Sequence, residues 1–319
     1  MRISQWSDPI PDLIIDQFSI PNSHPRHATR LWCMSLLKAL HTSKRFLLNV
    51  EMCAPRMDLP LQQSVDAWID SNRLMRRITS RDRFVFMTDG AIGRREEPNL
   101  RHVVINLGAE ADRSHIVPIL TTKHSLDYCL QFAQRSYTLG FTSLVVLGGD
   151  KSDDTPRCVE HAYELRRLIR QKVPGLTLGG WASPHGGRPQ VDFMLHPEYS
   201  ADFYLAQIVS HYQTRAIDEF VNETERLGVK IPGIFGVFYY RSANPKTFAM
   251  LSKFIPVPAA ELTRDFAADI SPEEICARSI HALLQHGVKK VYVSNLPMAT
   301  AAETFSRIEA RVEEMLVVS

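Results

Sequence analysis

The chain has 319 residues, 45% of them apolar and 23% charged, with a formal net charge of +2. That length can bury one large core, as a single α/β barrel does. The near-neutral balance, with Lys and Arg spread along the chain, argues against nucleic acid or an anionic membrane as a partner chosen by bulk charge. Five widely spaced cysteines without a CxxC pair read as thiols of a reducing compartment rather than as a disulfide framework or zinc site. No apolar stretch reaches membrane-spanning length, and the N-terminus lacks a signal peptide's charged-then-apolar order, so the expected location is the cytoplasm.

Residues 1–25 contain several prolines and no stable period, and read as an irregular lead-in; residues 26–42 carry apolar positions at helical spacing. "FLLNVEMCAPR" (46–56) is an apolar run suited to a strand buried on both faces, ending on Glu51 and broken at Pro55. A helix is predicted over 61–75, and "RFVFMTDG" (83–90) is a strand ending in Thr88 and Asp89. Residues 99–108 favour a helix closed by Gly108. A strand at 116–121, a helix at 125–140, a strand at 142–150 and a helix at 155–175 follow. The alternation continues with strands at 176–182, 202–209, 232–238 and 289–297. Helical sequence follows each of them, at 189–200, 213–228, 244–253 with 271–287, and 299–316.

Eight strands, each followed by helical sequence, with no G-x-G-x-x-G turn among them, predict a (β/α)8 TIM barrel over 45–319 with an N-terminal extension over 1–44. In such barrels chemistry sits at the C-terminal strand ends. Those ends hold Glu51, Thr88, Asp89, Thr121, Asp150, Trp181, His185, Gln207 and Asn295. Acidic and amide groups suit a nitrogen-rich ring better than a bare phosphate. Each has a plainer reading as well: Asp150 follows Gly148-Gly149 as in many turns, and His185 in "SPHGGRP" can be an ordinary loop histidine. No group of residues has zinc-ligand or nucleophile–base spacing.

The motifs, in order, resemble the methylenetetrahydrofolate reductase family over about residues 45–297. "VEMCAPR" is similar to the family's first-strand motif and keeps Glu51, Pro55 and Arg56. "MTDGA" resembles its threonine-tyrosine-glycine-alanine turn, with Asp89 for tyrosine, and "VVLGGD" its leucine-arginine-glycine-aspartate, keeping Asp150. "GGWASPH" places Trp181 and His185 where the family has a tyrosine and a histidine; "YLAQI" supplies Gln207, "IPGIFGV" the seventh strand and "VYVSN" Asn295. The resemblance implies an oxidoreductase that passes hydride between NADH or NADPH and 5,10-methylenetetrahydrofolate to give 5-methyltetrahydrofolate, or the reverse. It implies Glu51 as general acid, with Asp150, Gln207 and Asn295 on the folate and Thr88, Asp89, Thr121, Trp181 and His185 on the cofactor side. A homo-oligomer is compatible with it.

The family also implies FAD. At three family positions that contact the flavin, this chain has Ile119, Gly148 and His196, none a fixed cation. The expectation is FAD weakly held or absent, with hydride passing directly from the nicotinamide. Two other readings stay open: a folate- or pterin-dependent methyl transfer, and a non-catalytic folate-binding barrel.

Overall fold

A computed structural model of the protein describes residues 35–56, 58–88, 97–108, 112–149 and 156–318. Strands β1 (Leu47–Cys53), β2 (Val85–Thr88), β3 (Ile116–Thr121) and β4 (Ser143–Leu147) are joined by β5 (Thr177–Ala182), β6 (Phe203–Ile208), β7 (Gly233–Phe238) and β8 (Lys290–Ser294). All are parallel and close into a barrel in sequence order, the seam being β1 against β8. Each of the eight strands falls within a stretch predicted as one.

The alternation of side chains builds two layers. Leu48, Val50 and Met52 of β1 face outward into a core shared with the surrounding helices, whereas Leu47 packs inward with Phe84, Phe86, Val117, Val145, Phe203 and Tyr292. By the two-residue period of a strand, Asn49 and Glu51 point inward with Leu47. Asn49 is fully buried, and its amide spans the seam. Nδ2 donates to Val291 O at 3.0 Å, and Oδ1 accepts from Phe84 N at 3.0 Å. A buried amide satisfied on both sides costs little and fixes the register of three strands.

The helices are α1 (Leu36–Thr42), α2 (Leu61–Thr79), α3 (Glu97–Leu107), α4 (Leu126–Thr138), α5 (Ala162–Lys172) and α6 (Gly187–Leu195). After them come α7 (Thr214–Arg226), α8 (Pro245–Leu251), α9 (Ala259–Ala267), α10 (Pro272–Gln285) and α11 (Ala301–Val318). Ser35 caps α1, and Leu36, Ala39 and Leu40 join the inner cluster, so this helix closes the barrel floor. Lys290 Nζ donates to Ser43 O and Arg45 O below it. Helix α1, grouped with the extension in the sequence reading, therefore sits in the compact unit Met34–Ser319.

Two helices depart from expectation. Helix α5 begins at Ala162, not near 155, because Cys158 N donates to Thr122 O and Arg157 Nη2 to Gly149 O, which ties the preceding segment to the ends of β3 and β4. Helix α9 was not predicted. It starts after Pro256 and Pro258, and its sequence signal is short: a buried Leu262 with Phe266 one turn later.

Close packing inside the barrel makes two glycines indispensable for space. A Cβ on Gly236 would lie 2.5 Å from Tyr292 Cζ and 2.9 Å from Ile208 Cδ1, and one on Gly179 2.5 Å from Phe203 Cζ. These are ring and branched atoms of a full core. Gly236→Ala is expected to destabilise the protein by about 1–3 kcal/mol through overpacking. The urea unfolding midpoint reads that loss.

Candidate functional site

Glu51 lies at the inward C-terminal end of β1, in register with Phe86 of β2 and two residues beyond the β1–β8 pairing of Asn49 with Tyr292. Its surroundings come from the two neighbouring strands: Phe86 of β2 and Tyr292 of β8 are fully buried rings 6.1 Å apart, and Ser294 of β8 hydrogen-bonds the carboxylate. Burial raises the carboxyl pKa above its ordinary value, and the Ser294 hydrogen bond offsets part of that rise. The phenol of Tyr292 donates to Ala206 O at 2.9 Å and is held well above its usual pKa by burial, with the Glu51 charge adding to the effect. A carboxyl in this setting keeps its proton to higher pH than a solvated one.

The other sequence-predicted residues divide into three groups. Asp89 and Asp150 lie outside the described residues. Thr88 and Thr121 end β2 and β3 on the inward face, and Trp181 is the last inward residue of β5, as the alternation with Phe86, Ile119 and Gly179 requires. Thr121 is fully buried, and its hydroxyl has no hydrogen-bond partner, an uncommon state that a bound water or ligand atom would relieve. Trp181 is 37% exposed, a large aromatic face left open at the mouth of the barrel.

The third group is engaged with the protein itself. Gln207 Oε1 accepts from Ser183 Oγ at 2.7 Å, and its Nε2 donates to Phe254 O at 3.0 Å. The irregular β6–β7 register between Ala206 and Ile208 sets its position. His185 Nε2 lies 3.2 Å from Ile208 O, which requires that nitrogen to carry the proton. Asn295, in the left-handed region at φ 69°, donates from Nδ2 to Tyr239 O at 3.0 Å and accepts from Arg241 Nη2 at 3.2 Å. Its amide braces the ends of β7 and β8.

A cavity of about 420 Å³ opens beside Trp181, between the ends of β4 and β5 and the start of α5. Tyr163, Phe193 and Tyr199 line it, and Arg166 forms part of its wall. Arg166 is only 3% exposed, donates to Val146 O and Tyr199 O, and keeps Nε without a partner. Burial lowers its pKa to about 10. At Gly148, where the sequence offered no cation, a Cβ would lie 3.7 Å from Arg157 Cζ, so a guanidinium from the segment before α5 covers that position. Sequence reasoning missed Ser294, Arg157 and Arg166. Ser294 was within reach of the strand period, two residues past Tyr292, whereas the arginines arrive from chain segments that carry no motif.

Among the described residues, no helix is long and apolar enough to cross a membrane, and no group of three or more His, Cys, Asp or Glu side chains could hold a metal ion.

One solved structure with the same fold is an uncharacterized protein from Clostridium thermocellum that binds two copies of 5-methyl-5,6,7,8-tetrahydrofolic acid. It matches with a TM-score of 0.59 at 14% identity, covering 88% of this chain and 99% of that one. At this identity the likeness is one of fold. A second solved structure, an aldolase named QR15, matches with a TM-score of 0.44 at 9% identity over 85% of this chain and 96% of that one. No family model and no curated protein sequence matches the chain.

Proposed function

We propose that the protein binds a tetrahydrofolate derivative at the C-terminal mouth of the barrel and reduces its methylene group, in the manner of the methylenetetrahydrofolate reductases that its motifs resemble. The observation that carries the reading is Glu51: an inward carboxyl whose pKa is raised by burial, at the strand end that the resemblance assigns to the general acid. The bound 5-methyltetrahydrofolate of the Clostridium thermocellum protein supports the choice of ligand.

In this reading Glu51 gives its proton to the nitrogen that leaves the methylene carbon as the five-membered ring opens. The resulting iminium carbon then accepts hydride. Ser294 steadies the carboxylate that remains until it is reprotonated. Gln207 takes the pterin by exchanging its contacts with Ser183 and Phe254, and the resemblance assigns Asp150 to the same ring. The open face of Trp181, the aromatic wall of the neighbouring cavity and the guanidinium of Arg157 over Gly148 fit a ligand that combines flat rings with phosphates. A nicotinamide or flavin nucleotide held there would supply the hydride. Arg157, beside Gly148, supports a cation on the side this reading gives to the cofactor.

The test follows NAD(P)H oxidation with 5,10-methylenetetrahydrofolate as acceptor, alongside titration with 5-methyltetrahydrofolate. Folate-dependent oxidation supports the reductase. Binding without oxidation leaves the non-catalytic folate-binding barrel, and the absence of both overturns the proposal. The purified protein's visible absorbance reports FAD, and intersecting rather than parallel kinetic lines report direct transfer.

Trp181 gives this reading a separate check. If its exposed face stacks on a ring, Trp181→Ala weakens binding of the stacked ligand by about 0.5–1.5 kcal/mol beyond the area lost. The side chain is 37% exposed, so Trp181→Ala also costs some packing, and the unfolding midpoint is measured beside the titrations to keep the two effects apart. Unchanged titrations for both 5-methyltetrahydrofolate and NAD(P)H would remove Trp181 from the site.

A further inference from the structure

The sulfurs of Cys129 and Cys158 lie 4.0 Å apart, in van der Waals contact, without a disulfide between them. Both positions are fixed by the backbone. Cys129 is buried in the first turn of α4, its Sγ 3.6 Å from Thr121 O at the end of β3. Cys158 precedes α5, and its N–H donates to Thr122 O at 2.8 Å, which holds this segment across the end of the same strand. Thr122 Oγ1 in turn donates to Gly148 O at 3.0 Å, and Arg157 Nη2 to Gly149 O at 3.1 Å. Two strand ends thus clamp one thiol against the other.

We propose that Cys129 and Cys158 form a redox couple that closes to a disulfide under mild oxidation and opens again with a dithiol reductant. A disulfide needs about 2.05 Å between sulfurs and a Cβ–Cβ distance near 3.8 Å. The sulfurs, 4.0 Å apart, have to approach by about 2 Å to form it. Cys158 is half-buried and reachable by a small oxidant, while Cys129 is sealed behind it. That is the arrangement of an attacking and a resolving thiol.

With hydrogen peroxide as oxidant, the Cys158 thiol gives up its proton and its sulfur attacks one peroxide oxygen; the O–O bond breaks, the sulfenic acid forms, and the departing hydroxide takes up the released proton as one water. The Cys129 sulfur then attacks the sulfenic sulfur, the S–S bond forms, and the hydroxyl leaves with the Cys129 proton as a second water. Two thiols have lost two electrons, and peroxide has gained them. Neither of the other described cysteines takes part in this contact. Cys276 is buried with its thiol pushed far above the ordinary pKa, and Cys53 sits at the end of β1. Metal binding is a poor alternative for the pair, since among the described residues no third His, Cys, Asp or Glu completes a ligand set.

The bond joins residues 29 positions apart and ties the start of α4 to the segment entering α5, directly behind Thr121 and Gly148 of the candidate site. The oxidation state of the pair therefore sets how firmly the third and fourth strand ends are held together.

The experiment treats the full-length protein with stoichiometric hydrogen peroxide, then blocks remaining thiols, digests and maps the peptides by mass spectrometry. The expected result is a single linked pair of peptides containing Cys129 and Cys158, a loss of two hydrogens from the intact mass, and full reversal by dithiothreitol. The oxidised protein should melt several degrees higher than the reduced form, since the link restricts the unfolded chain. Cys158→Ser should abolish both the link and the melting shift while leaving the reduced protein's melting temperature near that of the parent. Cys129→Ser tests the buried partner if it folds; peptide mapping of the unaltered protein decides the matter if it does not. Oxidation that stops at a sulfinic acid on Cys158, or a link through Cys33, Cys53 or Cys276, would overturn the proposal. Folate titration is independent of both results, so failure here and failure of the functional reading are separately visible.

Discussion

Glu51→Gln is expected to lower methylenetetrahydrofolate reduction by roughly 10²- to 10⁴-fold, the contribution of a positioned general acid. The amide keeps the size of the carboxyl and can still pair with Ser294, so 5-methyltetrahydrofolate binding should persist. The residual activity should also lose its pH dependence on the alkaline side. In the parent, turnover requires the protonated acid and falls as pH rises through its raised pKa. Near-parental turnover in the variant, with the same pH profile, would show that the proton comes from another group.

The same residue makes an opposite prediction for stability. Burial places the folded-state pKa of Glu51 above its unfolded value. The native protein then keeps the proton at pH values where the unfolded chain has released it. By linkage, the stability tied to that proton is complete below the unfolded pKa and is lost as pH rises towards the folded one. Gln has no proton to lose. The stability of Glu51→Gln relative to the parent should therefore increase from acidic to neutral pH, a gain in stability where activity is lost. Denaturant midpoints of the two proteins at several pH values measure it, and a difference constant with pH would mean that Glu51 is not desolvated.

Much of the barrel was legible because its signals are local. Apolar runs such as Phe46–Val50 and the "SLVVL" of Ser143–Leu147 can only be buried strands, and Gly140 and Gly175 close the helices before the next strand begins. Glu51 stood out for the same reason, a charge at the end of an apolar run. What remained hidden depends on contacts between distant segments. Nothing in "SNLP" shows that Asn295 is taken up by Tyr239 and Arg241, and nothing in "GGD" shows that Arg157 returns to cover Gly148. Gln207 stood out as a strand-end amide, but its partners, Ser183 and the Phe254 carbonyl, come from the end of another strand and from the loop after α8. Helix α9 escaped because its apolar signal is short, and its two leading prolines mark a loop as readily as a helix start.

Phe86→Ala is expected to couple the core to the chemistry. Phe86 is fully buried on the inward face of β2, beside Glu51 in the register and tilted against Tyr292. Removing its ring leaves a cavity inside the barrel, at a cost of about 3–5 kcal/mol of folding stability. The functional effect has a separate cause. The ring is part of the low-polarity wall that makes ionisation of Glu51 unfavourable, and water entering the vacated space would solvate the carboxylate. The Glu51 pKa should fall towards its ordinary value. In a variant that still folds, the alkaline limb of the pH–rate profile should move to lower pH, and turnover at neutral pH should drop with the fraction of protonated acid. Phe86→Leu, which fills most of the space, should show both effects in weaker form. Loss of stability with no movement of the alkaline limb would assign Phe86 to packing alone and place the origin of the raised pKa in Tyr292 and the remaining wall.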